Sequence, residues 1–172
     1  MPMHAVYGGG MFRLCEVPMR LEPLLKPDLV LVIDGADGCD DVLGALAARA
    51  ATELDGLDAT RLDAELRDRE RRIPTSTPEG VAFPHAMVPE ITDTIVVPAL
   101  VPGGVSFGVE THPKADIVFG MFGCSEKPFA HVRLLARLAR IARGPGALDR
   151  FRACSDTQQF YDALVAEDRK HA

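Results

Sequence analysis

None of the four cysteines, Cys15, Cys39, Cys124 and Cys154, forms a CxxC pair or stands at metal-ligand spacing from another. That excludes a cysteine-built metal site and leaves them as reduced thiols of a cytoplasmic protein. No apolar run approaches the ~20 residues needed to span a bilayer, so membrane insertion is not expected. Residues 1–19 lack the basic start and apolar stretch of an export signal. Positive charge is in deficit: 19 Lys and Arg face 25 Asp and Glu, for a net charge of −6, which argues against a general nucleic-acid binder. No internal repeat is visible.

What is present is ordinary globular material. The 172 residues are 47% apolar and 26% charged, the size and composition of one domain. The charge is unevenly spread. Asp34 to Glu70 holds eleven acidic and four basic residues, whereas Lys127 to Arg152 holds seven basic and one acidic. Both stretches read as solvated faces, including the stripe Arg133, Arg137 and Arg140.

Residues 1–18, with Gly8 to Gly10, read as a flexible lead-in without periodicity. Asp28 to Ile33 is a β-branched and apolar run that predicts a buried strand after Pro27. Asp40 or Asp41 can cap a helix with Leu43, Leu46, Ala47, Ala50 and Leu54 inward. A second, charged helix follows Asp58 or Thr60 and ends near Arg72, ahead of Pro74. Val81 to Phe83 reads as a short strand stopped by Pro84, with His85 directly after it. Thr94 to Val101 and Asp116 to Phe122 predict the sheet's central strands, separated by a Gly103-Gly104 turn and an extended piece at Val105 to Phe107. Lys127 to Arg143 carries the clearest helical rhythm, through Leu134, Leu135, Leu138 and Ile141. Pro145 opens a short helix, and Ser155 with Gln158 offers a capping box for the last one. Strands in the middle with helices on both sides point to an α/β or α+β sandwich with a mixed sheet.

His85 is the first candidate for chemistry. Pro84 fixes the backbone just before it, and an imidazole titrating near pH 6.5 is largely neutral and nucleophilic in cytoplasm, able to take a phosphoryl group without a strong base. His131 lies early in the Lys127 helix, in register with its inward leucines, where a core-edge histidine and a group near the positive helix end are both consistent readings. Arg69 and Glu70 read as an unremarkable solvated pair. Thr75, Ser76 and Thr77 offer hydroxyl donors in what is equally a turn.

The ordered series Arg69-Glu70, Thr75, Gly80-Val-Ala-Phe-Pro-His85, Asp116-Ile-Val-Phe119 and Ala130-His-Val-Arg-Leu-Leu-Ala136 resembles enzyme IIA of the phosphotransferase system, of the fructose, mannitol and nitrogen-regulatory type. The resemblance spans residues 19–168, leaving 169–172 as a tail. It implies a three-layer α/β/α sandwich, classed α+β, with a mixed sheet. It also implies that His85 takes a phosphoryl group from phospho-HPr and passes it to a IIB cysteine, or holds it as a regulatory signal. His131 would neighbour the phosphohistidine, with Arg69 and Thr75 as supporting phosphate contacts and no metal, nucleotide or other cofactor. Ser76-Thr-Pro-Glu-Gly80 stands where the family carries a Gly-Ile-Gly-Asn-Gly-like turn, which motivates the alternative of a non-catalytic IIA-like binding module.

Overall fold

The computed structural model describes residues 19–54 and 56–171; the expected lead-in, residues 1–18, lies outside them. Two short 3-10 turns, Glu22–Leu24 and Pro27–Leu29, precede β1 (Leu31–Val32), α1 (Cys39–Ala51) and α2 (Ala59–Arg72). Then come β2 (Val81–Ala82), β3 (His85–Val88), β4 (Ile95–Val105) and β5 (Ala115–Cys124), followed by α3 (Pro128–Ala142), α4 (Ala147–Arg152) and α5 (Thr157–Lys170).

The strands form one mixed sheet in the order β1-β4-β5-β2, with β3 also paired to β5. β1 runs parallel to β4, β4 antiparallel to β5, and β2 and β3 parallel to β5. Side chains alternate across β5, as the period of two requires. Val118 and Phe122 face a core shared with α1 and α2, while Ile117, Phe119 and Met121 face one shared with α3, α4 and α5. The expected three-layer sandwich is therefore the observed one. Both faces of the central strands are dry, and each fully buried Leu or Phe there stabilises the fold by roughly 1.5–3 kcal/mol.

Several local expectations shift. The first strand shrinks to Leu31–Val32 because Pro27 starts a turn in which the Val30 N–H returns to the Pro27 carbonyl at 3.2 Å. α1 begins at Cys39 rather than after Asp40 or Asp41. Asp41 reaches back from its first turn to accept from the N–H groups of Asp37 at 2.9 Å and Gly38 at 3.3 Å. Gly103 and Gly104 do not end a strand: β4 passes through them with φ of +83° and +62°, and its pairing with β5 shifts between Leu100 and Val105. α5 is capped one residue later than expected, by the Asp156 carboxylate accepting from Gln159 N at 2.8 Å.

The basic stripe on α3 is also corrected. Arg137 is 5% exposed, not solvated, because its guanidinium is clasped to Asp168 of α5. Nε donates to Oδ1 at 2.7 Å and Nη2 to the Asp168 carbonyl at 2.6 Å. The other oxygen, Oδ2, accepts from the N–H groups of Leu21 at 3.0 Å and Glu22 at 2.9 Å. One carboxylate thus ties the first turn, α3 and α5 together.

Candidate functional site

β2 and β3 are two parts of one line of chain. Val81 pairs with Ile117 and His85 with Met121, the same offset, so Phe83 and Pro84 interrupt the ladder without shifting its register. The sequence placed His85 after a strand's end; the chain in fact resumes as strand at His85. Pro84 lacks an N–H, yet its carbonyl still accepts from Met121 N at 2.9 Å. This strand lies at the sheet's edge, where its outward groups meet only a single antiparallel bridge, Ser76 to Ala82, rather than a full strand. The Phe83 N–H donates instead to the Thr75 carbonyl at 3.2 Å, and the Phe83 carbonyl lies 2.9 Å from Nδ1 of His85.

Those partners fix the imidazole's proton. A carbonyl can only accept, so Nδ1 carries the hydrogen. A guanidinium can only donate, and Arg69 Nε stands 3.1 Å from Nε2 of His85, so Nε2 presents its lone pair. Arg69 is held from its other end by Nη1 donating to the Ile73 carbonyl at 2.8 Å, at the close of α2. Burial and the Arg69 charge lower the His85 pKa, while the Phe83 carbonyl partly opposes them. The result is a neutral ring at physiological pH, with its nucleophilic nitrogen aimed toward a cation.

His131 joins it from α3. The two rings lie 5.1 Å apart between centroids and are tilted by 46°. His131 is 6% exposed, and neither ring nitrogen has a hydrogen-bond partner. Gly123 of β5 makes the room, since a Cβ there would fall 2.6 Å from His131 Nδ1 and 2.8 Å from Met87 Sδ. Gly120 does the same on the opposite face, where a Cβ would meet Leu46 Cδ1 at 3.0 Å.

Burial first, then the neighbouring His85 and Arg69, push the His131 pKa down to about 4. In the unfolded chain its value returns to about 6.5, so between those limits the unfolded state binds the extra proton. Stability from the neutral ring is complete above about pH 6.5 and is lost as pH falls toward 4, a cost on the order of 3 kcal/mol. Urea unfolding across this range should show proton uptake on unfolding that His131→Leu reduces. Equal pH slopes in the two proteins would contradict it.

Thr75 reaches this pair only through Phe83, whose N–H donates to the Thr75 carbonyl, and its hydroxyl is engaged elsewhere. Its N–H donates to Glu70 Oε1 at 2.7 Å and its Oγ1 to Glu70 Oε2 at 2.8 Å. Glu70 is 7% exposed, so the solvated Arg69-Glu70 pair expected from sequence is not what forms. Burial raises the Glu70 pKa, and the two Thr75 bonds oppose that rise. Sequence reasoning missed this residue although a signal was present: Leu62, Leu66 and Glu70 recur every four residues and all three are buried on α2. Gly123 also carried a signal, a glycine inside an apolar strand.

The turn before β2 has its own bonds. Thr77 N donates to the Val81 carbonyl at 2.8 Å, and Gly80 keeps the positive φ of +79° that the turn needs. Ser76 Oγ lies 3.0 Å from His112 Nδ1 in the loop between β4 and β5. Two stretches of sequence, Arg69 to His85 and the start of α3, thus bring Arg69, His85 and His131 together. The arrangement can offer a neutral imidazole nitrogen to an electrophilic, anionic group, with a cation and a second neutral imidazole beside it.

Known proteins resemble this chain in sequence and in fold. A nitrogen regulatory protein of Bradyrhizobium diazoefficiens is 28% identical over 147 residues, covering 86% of this chain and 95% of that protein. The crystal structure of nitrogen regulatory protein IIA-Ntr from Neisseria meningitidis superposes with a TM-score of 0.75 at 16% identity, over 84% of this chain and 98% of that one. The complex of enzyme IIAMTL and phosphorylated enzyme IIBMTL from Escherichia coli matches with a TM-score of 0.69 at 18% identity, over 83% and 97%. Residues 23–167 match the family described as phosphoenolpyruvate-dependent sugar phosphotransferase system, EIIA 2. The chain therefore belongs to the EIIA 2 family of the phosphotransferase system, as a IIA-type phosphocarrier or regulator.

Proposed function

We propose that His85 is the residue phosphorylated, on Nε2, with phospho-HPr as donor and either a IIB cysteine or a regulated protein as acceptor. The observation that carries this reading is the pair of bonds on His85, which leaves Nε2 as the nucleophile. In the step, the Nε2 lone pair attacks phosphorus, the donor's N–P bond breaks, and the donor imidazole leaves with that bond's electron pair. The His85 proton stays on Nδ1, and the Phe83 carbonyl stabilises the positive charge that grows on the ring. Arg69 shifts from Nε2 to a phosphoryl oxygen, and the partnerless His131 turns an N–H to another. Alignment and charge stabilisation are what this transfer asks of a protein.

A docking face is available. Ile73, whose carbonyl holds Arg69, and Phe129 and Val132, which flank His131 in sequence, are large apolar side chains left exposed, Phe129 by 83%. Apolar groups of this kind around a reactive centre fit contact with a partner protein. The relatives named for nitrogen regulation favour a regulatory output, and the IIA–IIB complex among the structural neighbours supports a IIB-type partner for a carrier.

Incubation with phosphoenolpyruvate, enzyme I and HPr tests the reading. We expect one acid-labile phosphoryl group by intact mass, mapped to the peptide carrying His85. Folded protein that stays unlabelled beside a labelled control IIA would establish the non-catalytic binding module instead.

A further inference from the structure

We propose that Glu70 is a positioning residue for His85, acting through Thr75 and Phe83 to hold the imidazole in its Nδ1–H form. The inference rests on His85 being the phosphorylated residue but concerns the unmodified protein. Four hydrogen bonds make the path. The Glu70 carboxylate accepts from Thr75 N at 2.7 Å and Thr75 Oγ1 at 2.8 Å. The Thr75 carbonyl accepts from Phe83 N at 3.2 Å, and the Phe83 carbonyl accepts from His85 Nδ1 at 2.9 Å.

The edge position gives this path its leverage. In a central strand a neighbouring strand would hold the outward groups of Phe83; here Thr75 and the ring of His85 hold them. Thr75 in turn follows Pro74 and precedes Ser76, whose single antiparallel bridge to Ala82 includes the Thr75–Phe83 bond, and Glu70 holds both the N–H and the hydroxyl of Thr75. Glu70 occupies a buried position on the Leu62–Leu66 face of α2, where a leucine would add apolar contact. A carboxylate there costs desolvation, which its bonds to Thr75 offset.

Arg69 and Glu70, adjacent on the last turn of α2, therefore act on opposite sides of one ring. Arg69 donates to Nε2 directly, and Glu70 secures the acceptor of Nδ1–H at a distance. Histidine in water favours the Nε2–H form, which here would set an Nδ1 lone pair against a carbonyl that cannot donate to it, turn an N–H toward Arg69, and leave Nε2 without the lone pair that attacks. A rigid Phe83 carbonyl selects the reactive tautomer before any partner arrives.

Long-range proton–nitrogen NMR correlations read the His85 tautomer without phosphorylation. In the wild-type protein we expect Nδ1–H; finding Nε2–H would overturn the proposal with no variant needed. Glu70→Leu should shift the ring toward a mixture and slow phosphoryl uptake from phospho-HPr about tenfold, the effect of losing the Phe83–His85 hydrogen bond it supports. Glu70→Gln, which can still accept from Thr75 N and donate to Thr75 Oγ1, should restore the tautomer and most of the rate. Thr75→Ala removes one of the two bonds and should move the tautomer in the same direction by less, which keeps the test open if Glu70→Leu does not fold. Folded Glu70→Leu or Thr75→Ala with an unchanged tautomer would refute the relay. Wild-type protein that takes no phosphate would instead defeat the assignment of His85, while the tautomer comparison would still decide the role of Glu70.

Discussion

Asp168→Ala lowers stability by about 4 kcal/mol, read as a fall of roughly 10 °C in the thermal midpoint. Asp168 is 1% exposed and Arg137 5%, so removing the carboxylate leaves a guanidinium buried with only carbonyl partners. It also strands the N–H groups of Leu21 and Glu22, both of which point at Oδ2. Arg137→Met should cost less, because Asp168 then keeps those two backbone donors and the methionine fills part of the apolar space. The order of the two losses is the informative result. Near-equal losses would mean that the backbone bonds at Leu21 and Glu22 contribute nothing, and an Asp168→Ala loss under about 1 kcal/mol would mean that water reaches the clasp. Because α3 carries His131 and α5 carries Asp168, this contact also bears on the candidate site, and the less stable variant should show weakened protection of α3 amides in hydrogen exchange.

The elements that repeat a local period were readable in the sequence. α3 was legible because Leu134, Leu138 and Ile141 keep a helical spacing and all three are buried. β5 was legible because an apolar, β-branched run needs no partner to announce itself. What failed were features decided by distant partners. Arg137 sits among solvent-like arginines in sequence, and only Asp168, far along the chain, makes it a core residue. Pro84 reads as a strand's end, whereas the parallel pairing to β5 carries the same register across it. Of the candidate site, His85 was singled out by its place after Pro84 and its imidazole, while the roles of His131, Arg69 and Thr75 came from a resemblance in motif order. Residue chemistry alone favoured a core-edge histidine at His131, because nothing local reveals that α3 and β3 converge across Gly123. Glu70 is the intermediate case: its place on the Leu62–Leu66 stripe was readable, but its bond to Thr75 depends on a one-residue bridge after Pro74 that no periodicity describes.

With His85 as the proposed phosphoryl acceptor, Arg69→Lys is expected to slow phosphoryl uptake about 100-fold, close to the loss from Arg69→Ala, while the protein stays folded. The reason lies in two bonds made at once. Nη1 donates to the Ile73 carbonyl at 2.8 Å, which pins the guanidinium to the end of its own helix, and Nε donates to His85 Nε2 at 3.1 Å. A planar fork can keep the first bond while it turns the rest of its N–H groups from the ring nitrogen to a phosphoryl oxygen. Lysine carries a comparable charge, but its single ammonium must choose between the carbonyl and the incoming phosphoryl group. Uptake from phospho-HPr, followed by intact mass over time, separates charge from geometry. If Arg69→Lys stays within about threefold of wild type, positive charge alone suffices and the fork has no part in the transfer. If the lysine and alanine variants both fall by two orders of magnitude, orientation at Nε2 is what Arg69 supplies, and the Ile73 carbonyl becomes part of the site that no sequence motif contains.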